Sequence, residues 1–276
     1  MAPPTLRLIS WNIAGRTSCL DEQIAALEQR QPDLVALQEV HSSIVADLYA
    51  AFQRMGLEHY TDTIGLAKEH ERRYGVLIAS RWPLEALAAM TFRIPQPERL
   101  CSALIASPFG LLELHAVHVP NGASYRWKKV ETFEGLYDRL ARAASHPRIL
   151  CGDLNTPQAE RDDGEIITWR QDIEDGKAVI WDKWHGDRGM RWDRAERLIL
   201  AGLADHDLPD VYRLLHKYDE QRFSFIMNRN RRRYDHIFAS RALNPTHCDY
   251  LIEPLDQGLS DLAPVEVVLA PPFAAV

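Results

Sequence analysis

Four short apolar segments, residues 74–79, 87–92, 101–106 and 111–119, follow one another with no helical stretch between them. Parallel neighbours need a crossover of a dozen or more residues, so strands spaced this closely pair antiparallel. Elsewhere strands alternate with amphipathic helices. Residues 6–11 read as a strand, 20–30 as a helix stopped by Gln31-Pro32-Asp33, and 34–37 as a compact strand that delivers Gln38 and Glu39 at its exit. A second helix carries Ile44, Leu48, Phe52 and Met55 on one face, and residues 126–144 form a third with Val130, Phe133, Tyr137 and Leu140 at helical spacing. Further strands are expected at 148–151, 223–226, 233–239, 248–253 and 264–269, and a helix at 192–203. An α/β chain with a largely antiparallel component follows.

At 276 residues the chain can bury a large core, and the expectation is one domain spanning 1–276. With 46% hydrophobic and 26% charged residues it is neither a disordered nor a membrane chain. A formal charge of −7 excludes a surface that is basic all over, so a nucleic-acid partner needs a local patch. Arg229, Arg231, Arg232 and Arg233 are one candidate. Tyr125, Arg126, Trp127, Lys128 and Lys129 interleave aromatic and basic side chains, a pattern that tracks a nucleic-acid backbone or merely covers a helix, and Lys128 or Lys129 is read as a phosphate contact. Cys19, Cys101, Cys151 and Cys248 form no CxxC pair and read as reduced thiols, and the first residues are too short for a signal peptide or span. A cytoplasmic protein is expected, with its oligomeric state left open. Residues 158–190, polar and punctuated by Trp169, Trp181 and Trp184, read as a long excursion.

Polar residues gather where strands end: Asn12, Glu39, His118 with Asn121, Asp153 with Asn155, and Asp261 before the last strand. Any one of them is more often a turn former than a ligand. The sequence contexts carry more weight together: Ser10-Trp11-Asn12-Ile13, Leu37-Gln38-Glu39-Val40, His118-Val119-Pro120-Asn121-Gly122, Gly152-Asp153-Leu154-Asn155, Arg233-Tyr234-Asp235-His236-Ile237-Phe238 and Ser260-Asp261-Leu262-Ala263-Pro264-Val265. In that order, from about Leu6 to Leu269, they resemble the endonuclease/exonuclease/phosphatase family, closest to its exonuclease III and abasic-site endonuclease branch.

The resemblance implies a four-layer sandwich of two mainly antiparallel sheets flanked by helices, with a site at one end. It implies Glu39 as the principal ligand of Mg²⁺, with Mn²⁺ as the alternative ion, and Asn12 and Asp261 close to the metal. Asp153 matches the residue near the nucleophilic water. Asn155 and Asn121 match amides that bond the phosphate or the water, and His118 occupies a slot that is tyrosine in the abasic-site enzymes. Lys128 and Arg231 are further candidates for phosphate contact.

The chain departs from the family at one position. Where the family ends its site with Ser-Asp-His, this sequence has Leu262, which neither donates nor accepts a hydrogen bond, so Asp235 loses its expected partner. His236 lies next to Asp235 on a strand and faces the other way, leaving His118 or His206 as freer substitutes. The stretch between Phe225 and Asp235 is also shorter than the nuclease loop it replaces. Three readings stand: a metal-dependent nuclease or phosphodiesterase, a phosphatase for a small phosphoester such as an inositol phosphate or nucleotide, and a non-catalytic phosphate or nucleic-acid binding module.

Overall fold

The computed structural model describes residues 5–66, 74–180 and 187–271. Trp181 and Trp184 lie outside the described residues. Eleven strands form two sheets. In the first, Leu6–Asn12 (β1), Leu34–His41 (β2), His59–Asp62 (β3) and Tyr74–Ser80 (β4) combine with two late strands. In the second are Leu84–Ala86 (β5), Leu100–Ser107 (β6), Gly110–His118 (β7), Arg148–Asp153 (β8) and Asp235–Ala239 (β9). Pro245–Tyr250 (β10) and Val265–Leu269 (β11) return to the first sheet, whose order is β10-β11-β1-β2-β4-β3, and the second runs β9-β8-β7-β6-β5.

All neighbours are antiparallel except β1 with β2 and β7 with β8. Those two parallel pairs are the ones joined through helices, Leu20–Arg30 (α1) and Trp127–Leu140 (α3), as a parallel connection demands. Val45–Arg54 (α2) and Asp187–Leu200 (α4) complete the outer layers. Side chains alternate across each strand, and both faces are covered. Leu6, Leu8, Leu34, Ala36, Val76 and Ile78 of one sheet meet Ala103, Leu114, Ala116, Ile149, Cys151 and Ile237 of the other. The opposite faces pack outwards: Ile9, Val35, Leu37 and Leu77 on α1 and α2, Val117, Leu150 and Phe238 on α3 and α4. Burial on both sides is why these strands read as nearly continuous apolar runs. The order helix, sheet, sheet, helix is the expected sandwich.

Several elements differ from their sequence reading. The strand expected at 87–92 stops early: Leu87 N–H still reaches Ser102, but the Thr91 hydroxyl and N–H both turn back to the Ala88 carbonyl, so Ala89–Phe92 closes as a 3₁₀ turn. The strand expected at 248–253 ends at Tyr250, and Ile252–Asp256 is helical. The excursion after β8 is not structureless. It contains the short hairpins Ala159–Glu160 with Ile166–Ile167 and Gln171–Glu174 with Lys177–Ile180, and α4 begins at Asp187, ahead of the expected start.

A buried ion network ties this excursion to the second sheet. Arg233 makes two bonds to Glu160 (2.6 and 2.8 Å) and one ion pair to Asp210 (2.7 Å), while Arg213 pairs with Glu160 at 2.8 Å. Arg233 therefore belongs to the interior, contrary to its reading as part of a phosphate-binding patch. Burial alone would raise both carboxyls, but the adjacent arginines outweigh it and hold Glu160 down to about 2 and Asp210 below the ordinary carboxylate range. Removing one member of such a network strands the others. Arg233→Met should cost on the order of 3–5 kcal/mol in urea-induced unfolding; a loss under about 1 kcal/mol would remove the network from the account. For pH the sign is set by depressed carboxyls: Glu160 contributes fully above its ordinary 4.5, and its contribution falls as pH drops towards about 2. Urea midpoints measured across that interval should decline more steeply in the parent protein than in Arg233→Met.

Candidate functional site

The strand ends of both sheets converge at one edge. Asn12 closes β1, His118 closes β7 and Asp153 closes β8. Glu39 is placed differently. The pairing of β2 with β4 shifts register between Leu37 and Val40, and Glu39 sits within that bulge at φ +54°, a conformation L residues rarely adopt. Bulges of this kind re-aim a side chain out of the regular alternation, here into the same cavity as His118 and Asp153.

Glu39, His118 and Asp153 offer ligand atoms that all lie within 4.8 Å of one another. His118 Nε2 is 3.4 Å from Glu39 Oε1 and 3.8 Å from Asp153 Oδ2. Asn12 Nδ2 donates to both carboxylates, at 3.1 Å to Glu39 and 3.0 Å to Asp153, while its Oδ1 accepts from Ala14 N–H at 2.9 Å. The amide oxygen is thus engaged away from the cluster. Through its Nδ2, Asn12 orients both carboxylates.

Burial raises Asp153 to about 7, and the charges of Glu39 and Asp261 push the same way against the hydrogen bonds from Asn155 N–H and Asn12. His118 is held well below its ordinary value, first by burial and then by the Arg99 guanidinium. Arg99 Nη1 lies 3.0 Å from His118 Nδ1. The same Nη1 is 3.4 Å from Nε2, and because a guanidinium only donates, the nearer Nδ1 is taken as the acceptor, with the proton of the neutral ring on Nε2, facing the carboxylates. The two carboxylates of Glu39 and Asp153 around one gap fit a divalent cation, which would relieve their mutual repulsion, with the His118 N–H beside it as a donor. Asp261 lines the cavity from its exposed rim without joining the cluster.

The cavity, about 290 Å³, also has Asn121, Asn155, Arg99, Tyr74, Tyr125, Phe225, Tyr234 and Leu262 in its walls. Asn121 Oδ1 caps the turn at Gly122–Tyr125 by accepting from Ser124 N–H, which leaves its Nδ2 as the group to donate. Asn155 is turned inward, donating to the Val119 carbonyl at 3.0 Å and to Asp153 at 3.2 Å.

Leu262 is buried and fixed through its backbone. Its carbonyl accepts from Trp11 Nε1 at 3.0 Å, its N–H donates to Ser260 Oγ at 3.2 Å, and it bridges to Phe225. Asp235 lies opposite Asp153 across the β9–β8 pair, fully buried, with neither carboxylate oxygen in a well-formed hydrogen bond. Burial and the nearby Asp153 raise it well above the ordinary range, the Ser224 side chain offsetting this in part.

Other expectations are redirected. Lys128 and Arg231 do not line the cavity, and the exposed Arg231 stacks its guanidinium 4.7 Å from the Phe223 ring centre. Lys129 is fully buried, paired with Glu196 at 3.0 Å and donating to the Asn155 carbonyl, so it supports the Asn155 loop from behind. His236 is a core residue between Asp210 and the Thr156 carbonyl. His206 bonds to Tyr137 and lines a different depression. His118 alone of the three histidines faces the cluster. Arg99, which orients it, escaped the sequence reading because an arginine ahead of a strand carries no distinctive signal.

If Asp235 is neutral when buried, its penalty grows as pH rises above 3.8, where the unfolded chain ionises and the native state resists. Asp235→Asn should then raise the urea midpoint at pH 7.5, and the gain should shrink towards pH 4. In a Leu262→His background the same change should become destabilising, because an imidazole needs the carboxylate. A loss of stability from Asp235→Asn in the parent protein would contradict the assignment.

The profile of the Endonuclease/Exonuclease/phosphatase family matches residues 9–261. Exodeoxyribonuclease III of Haemophilus influenzae is 24% identical over 254 residues, covering 86% of this chain and 89% of that protein. Among solved structures, an AP endonuclease from Archaeoglobus fulgidus matches with a TM-score of 0.69 and 22% identity, over 96% of this chain and 99% of its own. The 3′ phosphatase NExo from Neisseria, bound to a product DNA hairpin, matches with a TM-score of 0.63 and 20% identity, over 95% and 98%. At these identities the superpositions establish the shared fold.

Proposed function

Because the chain belongs to the endonuclease/exonuclease/phosphatase family, we propose that it is a divalent-metal-dependent phosphodiesterase acting on nucleic acid. The observation that carries this reading is the gathering of Glu39, His118 and the buried Asp153 in one cavity, with ligand atoms within 4.8 Å of one another. The names of its relatives, an exodeoxyribonuclease, an AP endonuclease and a phosphatase with a DNA product, support DNA as the substrate class. The packing of both sheets on one shared cluster supports treating residues 1–276 as a single domain. Four free cysteines, three of them buried, support a reducing compartment such as the cytoplasm. No helix among the described residues is long and apolar enough to cross a membrane.

Glu39 would be the principal ligand in this reading, and Mg²⁺ or Mn²⁺ held there would neutralise charge building on the phosphoryl oxygens. Asp153, held in place by Asn12 and Asn155, is positioned to accept a proton from the attacking water. His118 Nε2–H and Asn121 Nδ2 are the side-chain donors for the phosphate. Leu262 leaves the usual histidine's role vacant, and His118 supplies the remaining imidazole. One observation favours a small phosphoester instead: residues 225–232 form a tight hairpin, Phe225–Met227 with Asn230–Arg232, with no long loop to grip a duplex.

A panel of abasic duplex, single-stranded DNA, RNA, inositol phosphates and an aryl phosphodiester separates these readings. Hydrolysis should require Mg²⁺ or Mn²⁺, stop with EDTA, and disappear in Glu39→Gln. Leu262→His should raise turnover, by about 10²-fold if the introduced imidazole works as a general acid or base. Equal rates for parent, Glu39→Gln and Leu262→His would reject the site. Tight oligonucleotide binding with no turnover in any of the three would favour a binding module.

A further inference from the structure

A groove of about 680 Å³ lies beside the candidate site, lined by Arg126, Trp127, Arg170, Arg188, Arg191 and Trp192, with Asp187 as its acidic residue. In a chain of net charge −7 such a grouping of four guanidinium groups stands apart. Two of them are held by aromatic rings. The Arg170 guanidinium sits 4.1 Å from the Trp192 ring centre, and Arg191 sits 4.9 Å from that of Trp127. The two tryptophans meet edge to face at 6.3 Å. Arg191 is further fixed by two bonds of 2.6 Å to Glu134, while Arg126 and Arg188 are exposed. A guanidinium stacked on a ring keeps its N–H donors directed around its edge, which preorganises Arg170 for phosphate oxygens, while Arg191, engaged by Glu134, anchors the Trp127 wall.

The groove joins the catalytic cavity through the backbone. Tyr125 lines the cavity and the next residue, Arg126, lines the groove. Asn121 lines the cavity, and a Cβ on the following Gly122 would lie 2.6 Å from the Trp192 ring, so only glycine lets the capped turn rest on the groove floor. On the other side the Asn155 carbonyl accepts from Trp169 Nε1 at 3.0 Å, immediately before Arg170. An anionic chain leaving the cavity over Tyr125 therefore meets Arg126 first and the stacked arginines next.

We infer that this groove is a second anion subsite, which holds the phosphates of the nucleic-acid strand flanking the scissile one. The inference rests on the proposed phosphodiesterase reading and deepens it, since a small phosphoester would not extend into the groove. Polymer length, in this account, is recognised by the arginines between α3 and α4, and chemistry by the cavity.

The test is anisotropy of a short fluorescein-labelled single-stranded oligonucleotide in EDTA, across a salt series, for the parent protein and an Arg126→Glu/Arg188→Glu variant, two exposed positions. Hydrolysis of bis(4-nitrophenyl) phosphate with Mg²⁺ is measured in parallel. The variant should bind roughly tenfold or more weakly, with a salt slope shallower by about 1.4, the value for two phosphate contacts on a single strand, and aryl diester turnover should stay unchanged. Unchanged binding and slope would overturn the subsite. So would no oligonucleotide binding by the parent, competition by polyglutamate equal to that by the oligonucleotide, or loss of aryl diester turnover in the variant. Should the parent hydrolyse neither substrate, the phosphodiesterase reading fails, while the binding comparison still decides the groove.

Discussion

Asn12 donates its amide hydrogens to carboxylates that belong to different sheets, Glu39 on the first and Asp153 on the second. Everything at this edge depends on that bridge. Most of what joins the two sheets is apolar packing, which has no directional preference, and further polar bridges such as Tyr250 Oη to the Asp235 carbonyl at 2.6 Å act with the Asn12 amide against sliding. A hydrogen bond of 3.0 Å between a fully buried amide and a nearly buried carboxylate does not tolerate sliding. The Ser260 hydroxyl, donating to the Asn12 carbonyl, draws the last turn onto the same point, and Trp11 does so through the Leu262 carbonyl. The site is thus assembled on β1, the strand that pairs with both β2 and β11.

The acidic crowding that results has two different outcomes. Asp153 is bonded by Asn12 and Asn155, which offset part of the rise that burial imposes on its carboxyl. Asp235, one strand away, is fully buried with neither carboxylate oxygen in a well-formed hydrogen bond. Burial and the nearby Asp153 leave it better protonated than ionised, while Leu262 lines the cavity with apolar volume. A leucine here lowers the polarity of the wall formed with Phe225 and Tyr234, and concentrates the hydrogen-bonding capacity of the site on the opposite side, at His118, Arg99 and Asn121.

Much of this was legible from residue order. The helix at 20–30 was readable because Gln31-Pro32 punctuates it, and Gln31 indeed ends it in a left-handed conformation. Strands buried on both faces announced themselves as apolar runs. The convergence of Glu39, His118 and Asp153 followed from motifs whose order is meaningful only for a particular fold. What could not be read were features set by tertiary partners. The bulge at Gln38-Glu39 depends on pairing with β4, and the interior position of Arg233 depends on Glu160, far away in the chain. Which side of the Asn12 amide faces the carboxylates is a choice made by the Ala14 N–H. Lys129 and Arg99 show the same limit: identical charges, one sealed behind Asn155 and the other turned towards His118.

The central claim is that this edge holds a single divalent cation on Glu39 within the cavity shared with His118 and Asp153. Anomalous diffraction from crystals soaked in Mn²⁺ addresses it without reference to any substrate. The account predicts one strong peak within bonding distance of a Glu39 carboxylate oxygen, on the side facing Asp153 and His118. A cavity without a peak, or an ion bound elsewhere with Glu39 uninvolved, would contradict it.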